Sequence, residues 1–94
     1  MATVTVKFNG MWKLYVGQPS ATVNAATIEE ALSVIGRDYA PIFESKLTAR
    51  GVKLEGGILK LSYVTLNKKS AKDVKVRELK DGDILDLFVA VPGG

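Results

Sequence analysis

The residue types that most often carry enzyme chemistry are missing from this chain, which contains no cysteine and no histidine. That removes thiolate nucleophiles, disulfides, the common zinc sites, imidazole acid–base chemistry and every Ser-His-Asp arrangement. Three groups with chemical potential remain: the carboxylates Asp81, Asp83 and Asp86, the basic run Lys68, Lys69, Lys72, Lys75 and Arg77, and the diglycine Gly93-Gly94. The aspartates lack the ligand pattern of a calcium loop, and Asp81-Gly82-Asp83 reads as turn chemistry, so no metal is expected. The basic run reads as a solvated turn and edge strand. Its functional reading is docking to an acidic protein surface, an attraction that salt weakens. Nucleic acid is not the expected partner, because no aromatics are interleaved for base stacking. The diglycine follows a strongly apolar run and closes no turn. Two plain readings stand beside a functional one: a trimmed linker, or a frayed polar end without a role.

The elements that must position these groups belong to a small domain. Ninety-four residues leave room for one core, and residues 1–94 are expected to form a single domain with 92–94 as a flexible tail. The apolar share of 47% and charged share of 24% are those of an ordinary folded domain rather than a disordered chain. Thirteen basic against ten acidic residues give a net charge of +3, too mild to name a partner. No secretory pattern opens the sequence and no run reaches the length of a membrane span, so the cytoplasm is expected.

Strict alternation of Val4, Val6 and Phe8 against Thr3, Thr5 and Lys7 predicts a half-buried strand. Asn9-Gly10 suits a tight hairpin turn. A second strand region is expected between Met11 and Ala26, interrupted at Gly17-Gln18-Pro19-Ser20, with Ala21, Val23 and Ala25 facing inward. Trp12, just past the turn, is assigned to neither core nor surface. Thr27-Ile28-Glu29-Glu30 matches a capping box, and Ile28, Ala31, Leu32 and Ile35 form one helical stripe. Gly36 weakens that helix and Pro41 should end or kink it near Tyr39-Ala40. Ile42, Phe43 and Leu47 suggest one further short helical turn.

Beyond Gly56-Gly57, Leu59 and Leu61 share one parity while Val64 and Leu66 take the other, which predicts a bulge or two strands. Val74 and Val76 suggest a short strand, and Leu79-Lys80-Asp81-Gly82-Asp83 a turn. Ile84 to Val91 is the most strand-like run, with Leu85, Leu87, Val89 and Val91 on one face. Phe88 then shares the open sheet face with Ile84 and Ala90, a place for a partner anchor unless the middle segment covers it. The order predicts an α+β fold: a mixed four- or five-stranded sheet with one main helix packed across one face, the β-grasp or ubiquitin-like arrangement.

The whole chain resembles the MoaD/ThiS family of ubiquitin-like sulfur carriers. The resemblance rests on Val4-Thr5-Val6-Lys7-Phe8, on Thr27-Ile28-Glu29-Glu30-Ala31-Leu32, and on Leu66-Asn67. Most specific is Leu79-Lys80-Asp81-Gly82-Asp83-Ile84 followed, a strand later, by Val91-Pro92-Gly93-Gly94. The chain departs from the family at Lys68, where the family often has glycine, and at Pro92, where it has a small residue. The resemblance implies that an ATP-dependent adenylyltransferase of the MoeB/ThiF kind activates the Gly94 carboxylate. A persulfide sulfur supplied by a sulfurtransferase then displaces AMP and leaves a thiocarboxylate. The carrier itself is implied to bind no cofactor, since its own terminus is the reactive group and ATP is used by the activating enzyme.

The resemblance is closest to the small subunit of molybdopterin synthase, whose large, MoaE-like subunit would receive the tail Val91, Pro92, Gly93 and Gly94. Phe88, Ile84, Lys68 and Lys69 are the implied docking residues. Carriage of sulfur for thiamin or tRNA thiolation, conjugation to lysines as a protein modifier, and a non-reactive β-grasp binding module are the alternatives. Glycine suits a tail that threads a narrow channel, because it has no Cβ and a wide backbone range. Pro92 to Gly94 reaches about 10–11 Å at most when extended. Pro92 also limits the conformations that the tail would lose on insertion.

Overall fold

The opening alternation forms a strand. β1 (Ala2–Phe8) buries Ala2, Val4, Val6 and Phe8 and turns Thr3, Thr5 and Lys7 the other way. The computed structural model describes residues 1–52 and 56–89. Asn9-Gly10 does not close a tight hairpin. The chain instead inserts a short helix, α1 (Met11–Val16), before β2 (Ser20–Ala25). Alternation fails across this stretch, whereas Trp12 and Val16 lie four residues apart and are both buried. A helix this short is marginal alone. Trp12 anchors it, fully buried, stacked on Phe8 at 5.7 Å and edge-on to Phe43 at 5.0 Å. Its Nε1–H donates to the Ser62 hydroxyl at 2.8 Å, which donates in turn to the Ile58 carbonyl, so the indole keeps a polar partner inside the core.

In β2, Ala21, Val23 and Ala25 face inward as their alternation predicts. Thr27 then caps α2 (Ile28–Asp38), its hydroxyl accepting the Glu30 N–H at 3.2 Å. The stripe of Ile28, Ala31 and Ile35 is buried, with Leu32 half-buried beside it. The helix stops at Tyr39, in keeping with Pro41. The next element is longer than a single turn: α3 (Ala40–Ala49) is a ten-residue helix with Pro41 in its first turn, where proline costs no intrahelical hydrogen bond. Phe43 and Leu47, four apart, bury its inner side. Two further helices, α1 and α3, thus accompany the main helix α2.

The parity change after Gly57 has a simple origin. Ile58–Leu61 is a 3-10 turn and the strand β3 begins only at Ser62, running to Leu66, so neither a bulge nor a pair of strands is present there. Gly36 permits this turn to pack against α2, since a Cβ at Gly36 would meet Leu59 Cδ1 at 3.0 Å. β4 (Lys69–Ser70) closes back on β3 and leads into a second 3-10 turn, Ala71–Asp73. Val74 and Val76 form no strand; Val76 is exposed, and only Glu78 makes an isolated bridge, to Thr27.

The last strand, β5 (Ile84–Val89), is central in a mixed five-stranded sheet of order β2-β1-β5-β3-β4. It runs parallel to β1, with Val6 opposite Leu85, and antiparallel to β3, with Val64 opposite Leu87. Leu85 and Leu87 are fully buried in the core beneath the helices.

Candidate functional site

A site at the end of β5 depends first on how that strand is started. The turn before it is tied by its own carboxylates. Asp83 accepts the Lys80 backbone N–H at 2.8 Å and the Asn67 amide at 3.0 Å, while Asn67 accepts the Ile84 N–H at 2.9 Å. Asp81 accepts the Thr3 N–H at 2.8 Å, and the Gly82 N–H donates to the Thr3 carbonyl at 3.0 Å. Gly82 sits at φ +88°, open to glycine and strained for other residues. The Lys80 N–H, and then the Asn67 amide, hold the Asp83 carboxyl below the usual aspartate range. Leu79 to Asp83 therefore builds a rigid clasp joining β1, β3 and β5.

From this clasp, alternation sends Ile84, Asp86 and Phe88 to the sheet face away from the helices. Phe88 is 40% exposed and sits opposite Tyr63 of β3, itself 42% exposed, with ring centroids 6.4 Å apart. Ile84 is half-buried. Between Ile84 and Phe88, Asp86 is only 3% exposed. Its Oδ1 accepts the Asn9 side-chain amide at 3.1 Å, and its Oδ2 faces the Lys68 ammonium at 3.6 Å without a hydrogen bond among the described residues. The open face thus carries an aromatic pair beside a buried carboxylate with one exposed lysine over it.

Of the implied docking residues, the structure brings together Phe88, Ile84 and Lys68. Lys69 does not join them. It pairs with Leu66, whose side chain enters the core, so it stands on the helix side of the sheet. Arg77 is bound up internally, by Glu29 and by the Ala71 and Val74 carbonyls. Its hydrogen bonds keep the Glu29 carboxyl below its ordinary range. The three aspartates are each engaged in separate contacts, and among the described residues no group of three acidic side chains comes together around a metal-sized space. Val91, Pro92, Gly93 and Gly94, together with Ala90, lie outside the described residues.

No family model matches the chain, and no curated protein matches it. Solved structures do. Small archaeal modifier protein 1 of Methanosarcina acetivorans superposes with a TM-score of 0.70 at 19% identity, covering 100% of this chain and 98% of the other. A chain of the BexX/CysO complex of Amycolatopsis orientalis gives 0.64 at 29% identity, covering 97% and 99%. A chain of the complex of subunits 1 and 2 of the molybdopterin-converting factor from Helicobacter pylori gives 0.61 at 21%, covering 98% and 99%. The fold is the ubiquitin-like β-grasp.

In this β-grasp, two members of the exposed face escaped sequence reasoning. Tyr63 lies in a run whose parity is readable only once the 3-10 turn before it is known. Asp86 follows turn aspartates in sequence but sits mid-strand, and only the pairing with β1 and β3 covers it. A charged residue flanked by Leu85 and Leu87 in the most apolar strand was the available signal.

Proposed function

We propose that this chain is a ubiquitin-like carrier whose Gly94 carboxylate is the reacting group, activated as an acyl-adenylate and converted to a thiocarboxylate that delivers sulfur in molybdopterin synthesis. The observation that carries the reading is the placement of β5. The strand leading to Val91-Pro92-Gly93-Gly94 is the central strand of the sheet and passes the exposed Tyr63–Phe88 pair. A partner seated on that face lies beside the strand that leads, in sequence, to the tail. The clasp at Asp81 and Asp83 fixes where the strand starts, so docking and delivery are geometrically linked.

On this reading the chain is a protein cosubstrate rather than an enzyme, and works in the cytoplasm. It binds no cofactor, and the ATP is bound by a MoeB/ThiF-like adenylyltransferase. A sulfurtransferase supplies the sulfur, and a MoaE-like subunit accepts the tail. The activated carboxyl is a good electrophile because AMP leaves readily, and glycine at the last two positions leaves the carbonyl carbon open to the sulfur nucleophile. A second reading is conjugation of Gly94 to lysine amines, since small archaeal modifier proteins share this fold.

The test is an intact mass of the chain after incubation with ATP, a sulfur source and its host's activating enzyme. The expected result is sulfur in place of one oxygen at Gly94, located by sequencing the C-terminal fragment, because oxidation of Met1 or Met11 gives nearly the same gain. Gly94→Ala and deletion of Gly94 are expected to abolish the change while leaving the fold intact. An unmodified Gly94 with a competent enzyme overturns the reading, and an isopeptide to lysine in place of sulfur transfer selects the second one.

A further inference from the structure

The opposite side of β3 carries a second surface that the proposed chemistry does not use. β4 covers only the far end of β3, pairing Thr65 with Ser70 and Leu66 with Lys69. The Asn67 N–H donates to the Ile84 carbonyl across the ladder, so alternation directs Tyr63 and Thr65 toward β5 and Ser62 and Val64 outward. The Ser62 N–H is taken by the Leu59 carbonyl. The Val64 N–H and the Ser62 carbonyl, which flank Tyr63, therefore face away from the sheet. They are the two groups that one residue of an added parallel strand, or two of an antiparallel one, would satisfy.

Beside this edge runs a groove of about 550 Å³. Leu32 of α2, Leu59, Leu61, Val64 and Ala71 give it an apolar lining, and Lys60, Lys72 and Arg77 are its charged residues, with no acidic side chain among them. Arg77 is already held by Glu29, whereas Lys60 and Lys72 are exposed and make no ion pair among the described residues. Charged residues beside an open edge ordinarily deter sheet-to-sheet aggregation. Here all are of one sign, so a second copy of this chain meets lysine with lysine, while an acidic strand meets complementary charge.

We propose that the groove along the outer edge of β3 binds an extended acidic segment of a partner protein by strand addition, its apolar side chains on Leu32, Leu59 and Val64 and its carboxylates toward Lys60 and Lys72. The backbone groups of Ser62 and Val64 supply affinity, the pockets select alternate side chains, and the lysines set the sign of the partner. The site is independent of what happens at Gly94.

The test uses the full chain, isotopically labelled, and a capped synthetic octapeptide alternating valine with glutamate. Amide shifts are expected at Leu59, Leu61, Ser62, Tyr63 and Val64, with slowed hydrogen exchange at the Val64 amide. Lys60→Glu with Lys72→Glu, both on exposed positions, should weaken binding about tenfold or more, and raised salt should weaken it in the unmodified chain. The same peptide methylated on alternate amides should not bind, and a valine–lysine peptide should bind far more weakly. No shift along β3 at millimolar peptide, equal binding of the methylated or lysine peptide, or shifts confined to Phe88 and its face would each overturn the proposal.

Discussion

At the scale of single residues, Lys68 shows how one position can answer two demands. Asn67 and Lys68 make the two-residue connection between β3 and β4 at φ +49° and +74°, where glycine or asparagine is the relaxed choice. Glycine at Lys68 would relieve about 1 kcal/mol of backbone strain. It would also remove the ammonium that lies 3.6 Å from Asp86, a buried carboxylate whose Oδ2 has no hydrogen bond among the described residues. Because Lys68 is exposed, the pair contributes under about 1 kcal/mol, comparable to the strain that glycine would relieve. Lys68→Gly should therefore change the stability of the natural chain little and stabilise an Asp86→Asn background by about 1 kcal/mol, a difference that urea unfolding of the four variants would show. Trp12 answers only to packing. Trp12→Ala should cost about 3–5 kcal/mol, and Trp12→Phe clearly less, since a ring remains between Phe8 and Phe43.

At the scale of elements, the clasp before β5 is predicted to be acid-sensitive. Asp83 titrates below its unfolded value because its charged form accepts the Lys80 N–H and the Asn67 amide. A carboxyl shifted that way binds fewer protons folded than unfolded. Its stabilisation is complete above about pH 4 and is lost as pH falls through the lowered folded value. The difference in Tm between the natural chain and Asp83→Asn should be present at neutral pH and shrink toward zero in strong acid. A difference independent of pH would mean that geometry alone, and not charge, holds the turn. The same clasp explains why the short loop residues Asp81 and Asp83 matter to a strand that begins only at Ile84: each fixes a different neighbour of that strand.

At the scale of the whole molecule, the two sides of β5 should separate stability from binding. Leu87 is fully buried, so Leu87→Ala should cost about 2–5 kcal/mol. Phe88 is exposed beside Tyr63, so Phe88→Ala should move the urea midpoint little yet weaken docking to an activating enzyme by tenfold or more. Equal losses of stability in both would place Phe88 in the structural core rather than at a docking face. Among the described residues no helix is long and apolar enough to cross a membrane, and the helices instead cover one side of the sheet.

Local residue order was enough to specify the elements whose side-chain pattern is local: β1 by its alternation, α2 by Thr27 and its apolar stripe, the turn at Asp81-Gly82-Asp83, and the inward parity of Leu85 and Leu87. It also displayed the diglycine, which no local structure explains. Contacts between distant segments settled the rest. The helical state of Met11 to Val16 rests on Trp12 filling space between Phe8 and Phe43, which come from separate parts of the chain. The 3-10 turn at Ile58–Leu61 depends on the close approach of Leu59 to Gly36. The open face and the edge groove are properties of strand order, since Tyr63 meets Phe88, and the Val64 N–H faces the outer edge, only because β5 pairs with β3. Periodicity within a segment reports which side of it is buried; which neighbour does the burying is settled by pairings that no single segment encodes.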